Sequence, residues 1–300
     1  MPCVIIPIFE KEMKTPHPGS LPFYLLYLLI FAGSFTACKK TETPGAFFIK
    51  AYPVTVNPAA NQGSANHKIT DLWLYVNGNF QGVYPSGHLM PIPVNNQSAR
   101  IEVFAGIRNN GISETRIPWL FYQKLRFDTV VENGQNIVKA LAFTYNTTTT
   151  FAWLEDFDGT NGISLVKSSI SDTGFVLAPA DQSLEGKSAL LGMGPLDVVA
   201  QVESTKTYTL PSGNSNVYLE LNYKCDHAFE VGLISSSTEL KPALNLNPQA
   251  SWNKIYIQLA GVVNSQPVSA NYSYKVYFRM LNSDGSSPRL YLDNIKLVYL

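Results

Sequence analysis

Three sets of residues in this chain have types and spacings suited to chemistry. Cys38 closes the stretch Leu21–Lys40, LPFYLLYLLIFAGSFTACKK, where an apolar run gives way to small residues and then a thiol. Asp156, Asp158 and Asp293 are carboxylates near the two ends of the second half of the chain, and hard oxygens of that kind suit Ca²⁺. Tyr218, Tyr256 and Tyr291, with Glu220 and Lys254, sit at the polar positions of alternating segments. Aromatic rings ringed by polar groups suit a sugar, which stacks one apolar face and hydrogen-bonds at its edge. Each set also has a plain structural role open to it: acids cap turns, and Tyr is a good strand former.

Catalytic patterns are missing from the sequence. It contains no G-x-S-x-G, H-E-x-x-H, C-x-x-C or phosphate-binding loop. His67, His88 and His227 are scattered. Glu155, Asp156 and Asp158 could be imagined as an acid–base pair for glycoside hydrolysis, but neighbours on a strand alternate faces and would not straddle a sugar bond. A non-catalytic chain is therefore expected.

The apolar core Leu21–Gly33 has the length of a signal-peptide h-region and falls short of the roughly 20 apolar residues of a spanning helix. Ser34-Phe35-Thr36-Ala37-Cys38 resembles the lipobox of bacterial lipoproteins, with Phe35 where Leu is usual, a looser form familiar in the Bacteroidetes. That resemblance implies cleavage before Cys38 and lipidation of its thiol, hence a membrane partner and an envelope location, with the outer membrane favoured because Lys39-Lys40 lacks an Asp after the cysteine. Glu10 and Glu12 sit badly in a signal, so Met13 is the expected start. Cys3 is then lost and Cys225 stands alone in the mature chain, without an internal disulfide.

Lys+Arg 22 balance Asp+Glu 22, and no basic block stands out, which excludes nucleic acid as the expected partner. Low charge (15%) with 12% aromatics fits a β-rich secreted protein. The expected fold is all-β. Residues 1–38 form the leader and 39–45 a tether. A small antiparallel immunoglobulin-like sandwich spans 46–145, a connector 146–153, and a two-sheet jelly roll 154–300.

In the first sandwich, ITDLWLYV places Leu72, Leu74 and Val76 on one face and Asp71, Trp73 and Tyr75 on the other, and Asn77-Gly78 then marks a hairpin. AFFIKAYPVTV is a first strand interrupted by Pro53, and ARIEVFA opposes Ile101 and Val103 to Glu102 and Phe104. Val76-Asn77-Gly78, Gly82, Pro85 and Gly106 resemble the PEGA type of extracytoplasmic surface domain, which implies no catalysis. Ile107–Pro118 is an excursion that the short PEGA pattern lacks.

In the second half, the inward sets are Val217, Leu219, Leu221 and Tyr223; Phe229, Val231 and Leu233; Ile255, Ile257 and Leu259; and Tyr274, Val276 and Phe278. Leu290 and Leu292 share one register while Ile295, Leu297 and Tyr299 continue in the other, so a β-bulge is expected at Asp293-Asn294. The opening Glu155-Asp156-Phe157-Asp158-Gly159 and the closing Tyr291-Leu292-Asp293-Asn294-Ile295 resemble galactose-binding-like and carbohydrate-binding-module jelly rolls. That resemblance implies adjacent first and last strands, which would gather the three aspartates around a structural Ca²⁺. It also implies that Tyr218, Tyr256 and Tyr291 share the outer face of one sheet with Glu220 and Lys254, as a glycan platform. Tyr277, Lys275, Arg279 and Glu230 fall on the outer face of the other sheet. The expected function is lipid-anchored, non-catalytic glycan binding. The alternatives are an accessory subunit of an envelope assembly, partnered by envelope proteins, and a glycan-active hydrolase.

Overall fold

Alternation in the sequence becomes four β-sheets in the computed structural model, which describes residues 45–93, 98–130, 132–159, 163–213, 216–235, 238–265 and 272–300. Cys38, the leader and most of the tether lie outside the described residues.

The first sandwich packs a three-stranded sheet on a five-stranded one. The smaller has β1 (Ala46–Val56) between β4 (Leu89–Pro93) and β8 (Asn136–Phe143). The larger runs β3 (Asn79–Pro85), β2 (Asp71–Val76), β5 (Ser98–Arg108), β6 (Arg116–Pro118), with β7 (Leu125–Val130) also on β5. Leu72, Leu74, Ile101 and Val103 are fully buried, as their alternation requires. Asn77 and Gly78 both have positive φ (51° and 82°), the backbone of a type I′ turn between β2 and β3. One expectation is corrected: the sandwich is not wholly antiparallel, because β1 and β8 pair in parallel. The chain between them builds the other sheet before returning, and parallel strands need such a crossover.

The second sandwich is a pair of sheets from twelve strands. One runs β10 (Leu165–Lys167), β13 (Val199–Ser204), β19 (Ser273–Leu281), β16 (Phe229–Ser235), β17 (Leu240–Leu246), with β14 (Tyr208–Thr209) also on β19. The other runs β11 (Phe175–Leu177), β12 (Ala189–Gly192), β20 (Arg289–Tyr299), β15 (Val217–Cys225), β18 (Gln249–Gln258), with β9 (Thr150–Glu155) also on β20. The inward sets read from the sequence line one continuous core between these sheets. First and last strands are neighbours, Glu155 opposite Ile295. The register of β15 on β20 slips between Glu220 and Asn222, which face Lys296 and Asp293, and Asn294 takes φ +50°. This is the bulge that the change of alternation called for.

The two sandwiches belong to one compact unit, Gly45–Leu300. Strand β9 begins at Thr150, inside the stretch read as a connector, because Phe151 pairs with Val298 of β20. The core of the first sandwich also takes in Tyr218, Tyr256 and Val298 of the second.

Candidate functional site

Strands β15, β18 and β20 do share one sheet, and Tyr218, Glu220, Lys254 and Tyr256 do lie on its outer face. That face is covered by the first sandwich. Trp119 packs on Tyr218 and Tyr256 with ring centroids 4.9 and 4.7 Å away, and Phe121 lies 5.7 Å from Tyr218. Tyr218 is 3% exposed and Tyr256 2%. Glu220 is buried, ion-paired to buried Lys254 at 3.2 Å, and accepts the Tyr145 hydroxyl at 3.0 Å. Buried Lys296 donates to the Ser64 carbonyl (2.6 Å) and to Tyr145 (3.1 Å). Burial lowers the Lys296 ammonium to about 8 and pushes the Tyr145 phenol well above its usual value.

The expected platform is therefore corrected: Tyr218, Tyr256, Glu220 and Lys254 form an internal joint, inaccessible to a glycan. The physical reason is that a sheet face carrying several rings is a large apolar surface, and covering it is favourable. The cover comes from two stretches. One is the aromatic run Trp119–Tyr122. The other is the Ile107–Pro118 excursion, whose Asn110 donates its N–H to the Tyr256 carbonyl (3.0 Å) and accepts the Gln258 N–H (2.8 Å). Tyr291 lies away from that joint, beside Trp252 and Lys224, and is itself buried at 6% exposure, so it does not supply an open platform either.

The aspartates are not assembled as a metal set. Asp293 is fully buried and accepts Ser188 Oγ (2.7 Å), the Glu185 N–H (3.3 Å) and the Asn294 N–H (2.7 Å). Burial pushes its carboxyl up to about 6. Asp158 accepts the Lys187 N–H (3.0 Å) and Asp156 the Asp158 N–H (3.1 Å). The segment 185–188 thus supplies donors to Asp158 and Asp293. Among the described residues no three His, Cys, Asp or Glu side chains are placed to share a metal. Glu155 is likewise spent on structure, accepting the Phe157 N–H (2.8 Å), the Ser164 N–H (2.6 Å) and Ser164 Oγ (2.5 Å).

The other sheet presents an outer face lined by polar side chains. Glu203 and Lys275 pair at 2.6 Å on β13 and β19. Glu230 on β16 pairs with Arg279 (2.6 Å) and accepts the Tyr277 hydroxyl (2.6 Å). Gly232 makes room for the Tyr277 ring, since a Cβ there would fall 2.7 Å from a ring carbon and 2.4 Å from the Lys241 carbonyl. At the edge, Ser168–Ile170 and Leu240 bound a trough of about 500 Å³ whose lining includes Gln201, Glu203, Lys275 and Ile234. Gln201 is 1% exposed. Its amide nitrogen donates to Ser168 Oγ (3.2 Å), while its amide oxygen has no hydrogen-bond partner among the described residues. Gln201 thus lies beneath the trough, its main-chain N–H donating to Ser171 Oγ (2.7 Å), with its amide oxygen closed to solvent. Gln201 was not singled out from sequence. The signal was available as a lone polar residue between Ala200 and Val202, both fully buried.

No family model and no curated protein matches this chain. Among solved structures it is similar to a family 29 carbohydrate-binding module at 11% identity, covering 50% of this chain and 88% of that one with a TM-score of 0.32. It is similar to another family 29 module, complexed with cellulohexaose, at 11% identity over 51% of this chain and 93% of that one (TM-score 0.32). A family 11 module from Clostridium thermocellum, in complex with a β-1,3-1,4-mixed-linked tetrasaccharide, is similar at 12% identity over 50% and 94% (TM-score 0.32).

Proposed function

We propose that this chain is a non-catalytic glycan-binding protein of the cell envelope, anchored by lipid on Cys38 and recognising its ligand in the trough on the β13–β19–β16 sheet. The observation that carries the reading is an open trough of about 500 Å³ whose lining mixes serine hydroxyls, apolar side chains and the internally neutralised Glu203–Lys275 pair. Serine hydroxyls and an internally paired Glu203–Lys275 give hydrogen bonds without net charge, while Ile170, Ile234 and Leu240 give apolar contact. That mixture suits a neutral sugar chain. A printed array of neutral β-glucans, mannans, xylans and galactans tests it: binding lost on Lys275→Ala supports the trough. Silence on the array contradicts it. The anchor has its own test, since labelled fatty acid incorporated by the wild type is lost in Cys38→Ala.

A second reading, an accessory subunit making protein contacts, is favoured by Leu196, Val198 and Leu281, exposed at 94%, 61% and 58%. Leu281 and Val198 adjoin, as the Asn282 N–H donates to the Val198 carbonyl. Envelope proteins that co-purify with the wild type but are lost on Leu196→Asp would support that role.

A further inference from the structure

A second cleft opens where the ends of three strands of the covered sheet meet, with Cys225 opposite both Gln249 and Leu290 and Lys224 opposite Tyr291. It measures about 570 Å³. Pro248, Ala250 and Tyr291 give it apolar surface, and Lys224, Asp226 and Arg289 give it charge. Behind the cleft, Tyr291 (6% exposed) is fixed in place: Trp252 meets it edge to face at 6.3 Å, and both donate to Gln182, the indole to its carbonyl at 3.2 Å and the phenol to its side chain. Lys224 is held there too, its ammonium 4.2 Å from the Tyr291 ring centroid and 3.4 Å from the Gln182 carbonyl.

The charges are unevenly committed. One Asp226 oxygen accepts the main-chain N–H of Arg289 (2.7 Å) and faces His227 Nδ1 (2.9 Å), so that carboxylate is engaged in shaping the loop. The Arg289 residue itself is exposed at the rim. An apolar wall set in advance beside a fixed ammonium and a guanidinium favours a ligand that is both ring-shaped and anionic.

We propose that this cleft binds a ring bearing a carboxylate, a uronic acid residue being the form in which a glycan supplies it. The ring lies against Pro248 and Ala250, which are exposed, and the carboxylate is held by Lys224 and Arg289. The site is separate from the trough and does not depend on it.

The test is calorimetric titration of the full-length protein with trigalacturonate, its methyl ester and benzoate. Trigalacturonate should bind, and both the ester and the Arg289→Ala variant should lower affinity by about tenfold or more, the usual cost of losing a charge-assisted hydrogen bond. Arg289 is exposed, so that variant keeps its fold, checked by an unchanged melting temperature. Lys275→Ala in the trough should leave trigalacturonate binding intact, which separates this result from the fate of the neutral-glycan reading. Equal affinity for acid and ester, no binding of trigalacturonate, or indifference to Arg289→Ala would overturn the proposal. Benzoate binding as tightly as trigalacturonate would overturn the sugar as source.

Discussion

Asn110 of the first sandwich and Tyr256 of the second are joined through the backbone, the Asn110 N–H donating to the Tyr256 carbonyl at 3.0 Å while the Tyr256 hydroxyl accepts the Lys68 N–H at 3.0 Å. A strand of one sandwich is thereby gripped by two loops of the other. With the Trp119–Tyr218–Tyr256 cluster, this makes the pair one packed body.

Truncating the joint should therefore cost stability. Tyr256→Ala should lower the unfolding free energy by about 3–5 kcal/mol, the range for removing a large buried aromatic, measured by urea denaturation. Wild-type stability in that variant would contradict the joint.

Asn110 has φ +54°, and its side chain accepts the Gln258 N–H. Asn110→Ala should cost about 1–2 kcal/mol from that lost hydrogen bond, with αL strain added. In calorimetry the wild type should show one cooperative transition for both sandwiches. Two well-separated transitions in the wild type would count against a shared core.

The pH dependence of this joint follows from Lys296. Burial lowers its folded pKa to about 8 from 10.5, so the unfolded chain holds that proton more firmly. The cost is full below about pH 8 and is relieved as pH rises toward 10.5, so this group makes stability increase with pH across that window. Tyr145 and Tyr122, raised above 10.0, act in the opposite sense once pH passes that value. Cys225, raised from 9.0 to about 11, opposes this in both proteins, so urea midpoints from about pH 8 to about pH 10 should climb more steeply, or fall less, in the wild type than in Lys296→Met. Identical slopes would refute the assignment.

Cys225 is buried, and burial pushes its thiol up to about 11. Iodoacetamide at about pH 8 should leave it unmodified in the native protein and alkylate it in urea, since the thiolate is the reactive form. Rapid native alkylation would show that the strand end opens.

Much of the fold was legible in the sequence because a half-buried strand must alternate. Leu219 and Leu221, Ile255 and Ile257, and Val276 and Phe278 could face only one way. The bulge at Asp293-Asn294 was legible for the same reason, since Leu292 and Ile295 could not both be inward without it. The site was less legible. Alternation separates inner from outer faces but does not say what covers an outer face. Tyr218 and Tyr256 had the pattern of a sugar platform, and only the long-range packing of Trp119 and Asn110 makes them interior. Likewise Asp293 meets the donors of Glu185 and Ser188, which no local pattern announces.

The central claim is that the β13–β19–β16 sheet holds a neutral glycan in the trough beside Lys275. The most direct measurement is calorimetric titration of the full-length protein with the strongest neutral glycan found on the array, comparing wild type, Lys275→Ala and Arg289→Ala. The account predicts affinity lowered about tenfold or more by Lys275→Ala, the scale of a lost charge-assisted hydrogen bond, and unchanged by Arg289→Ala. Full affinity retained in Lys275→Ala, at unchanged melting temperature, would contradict it.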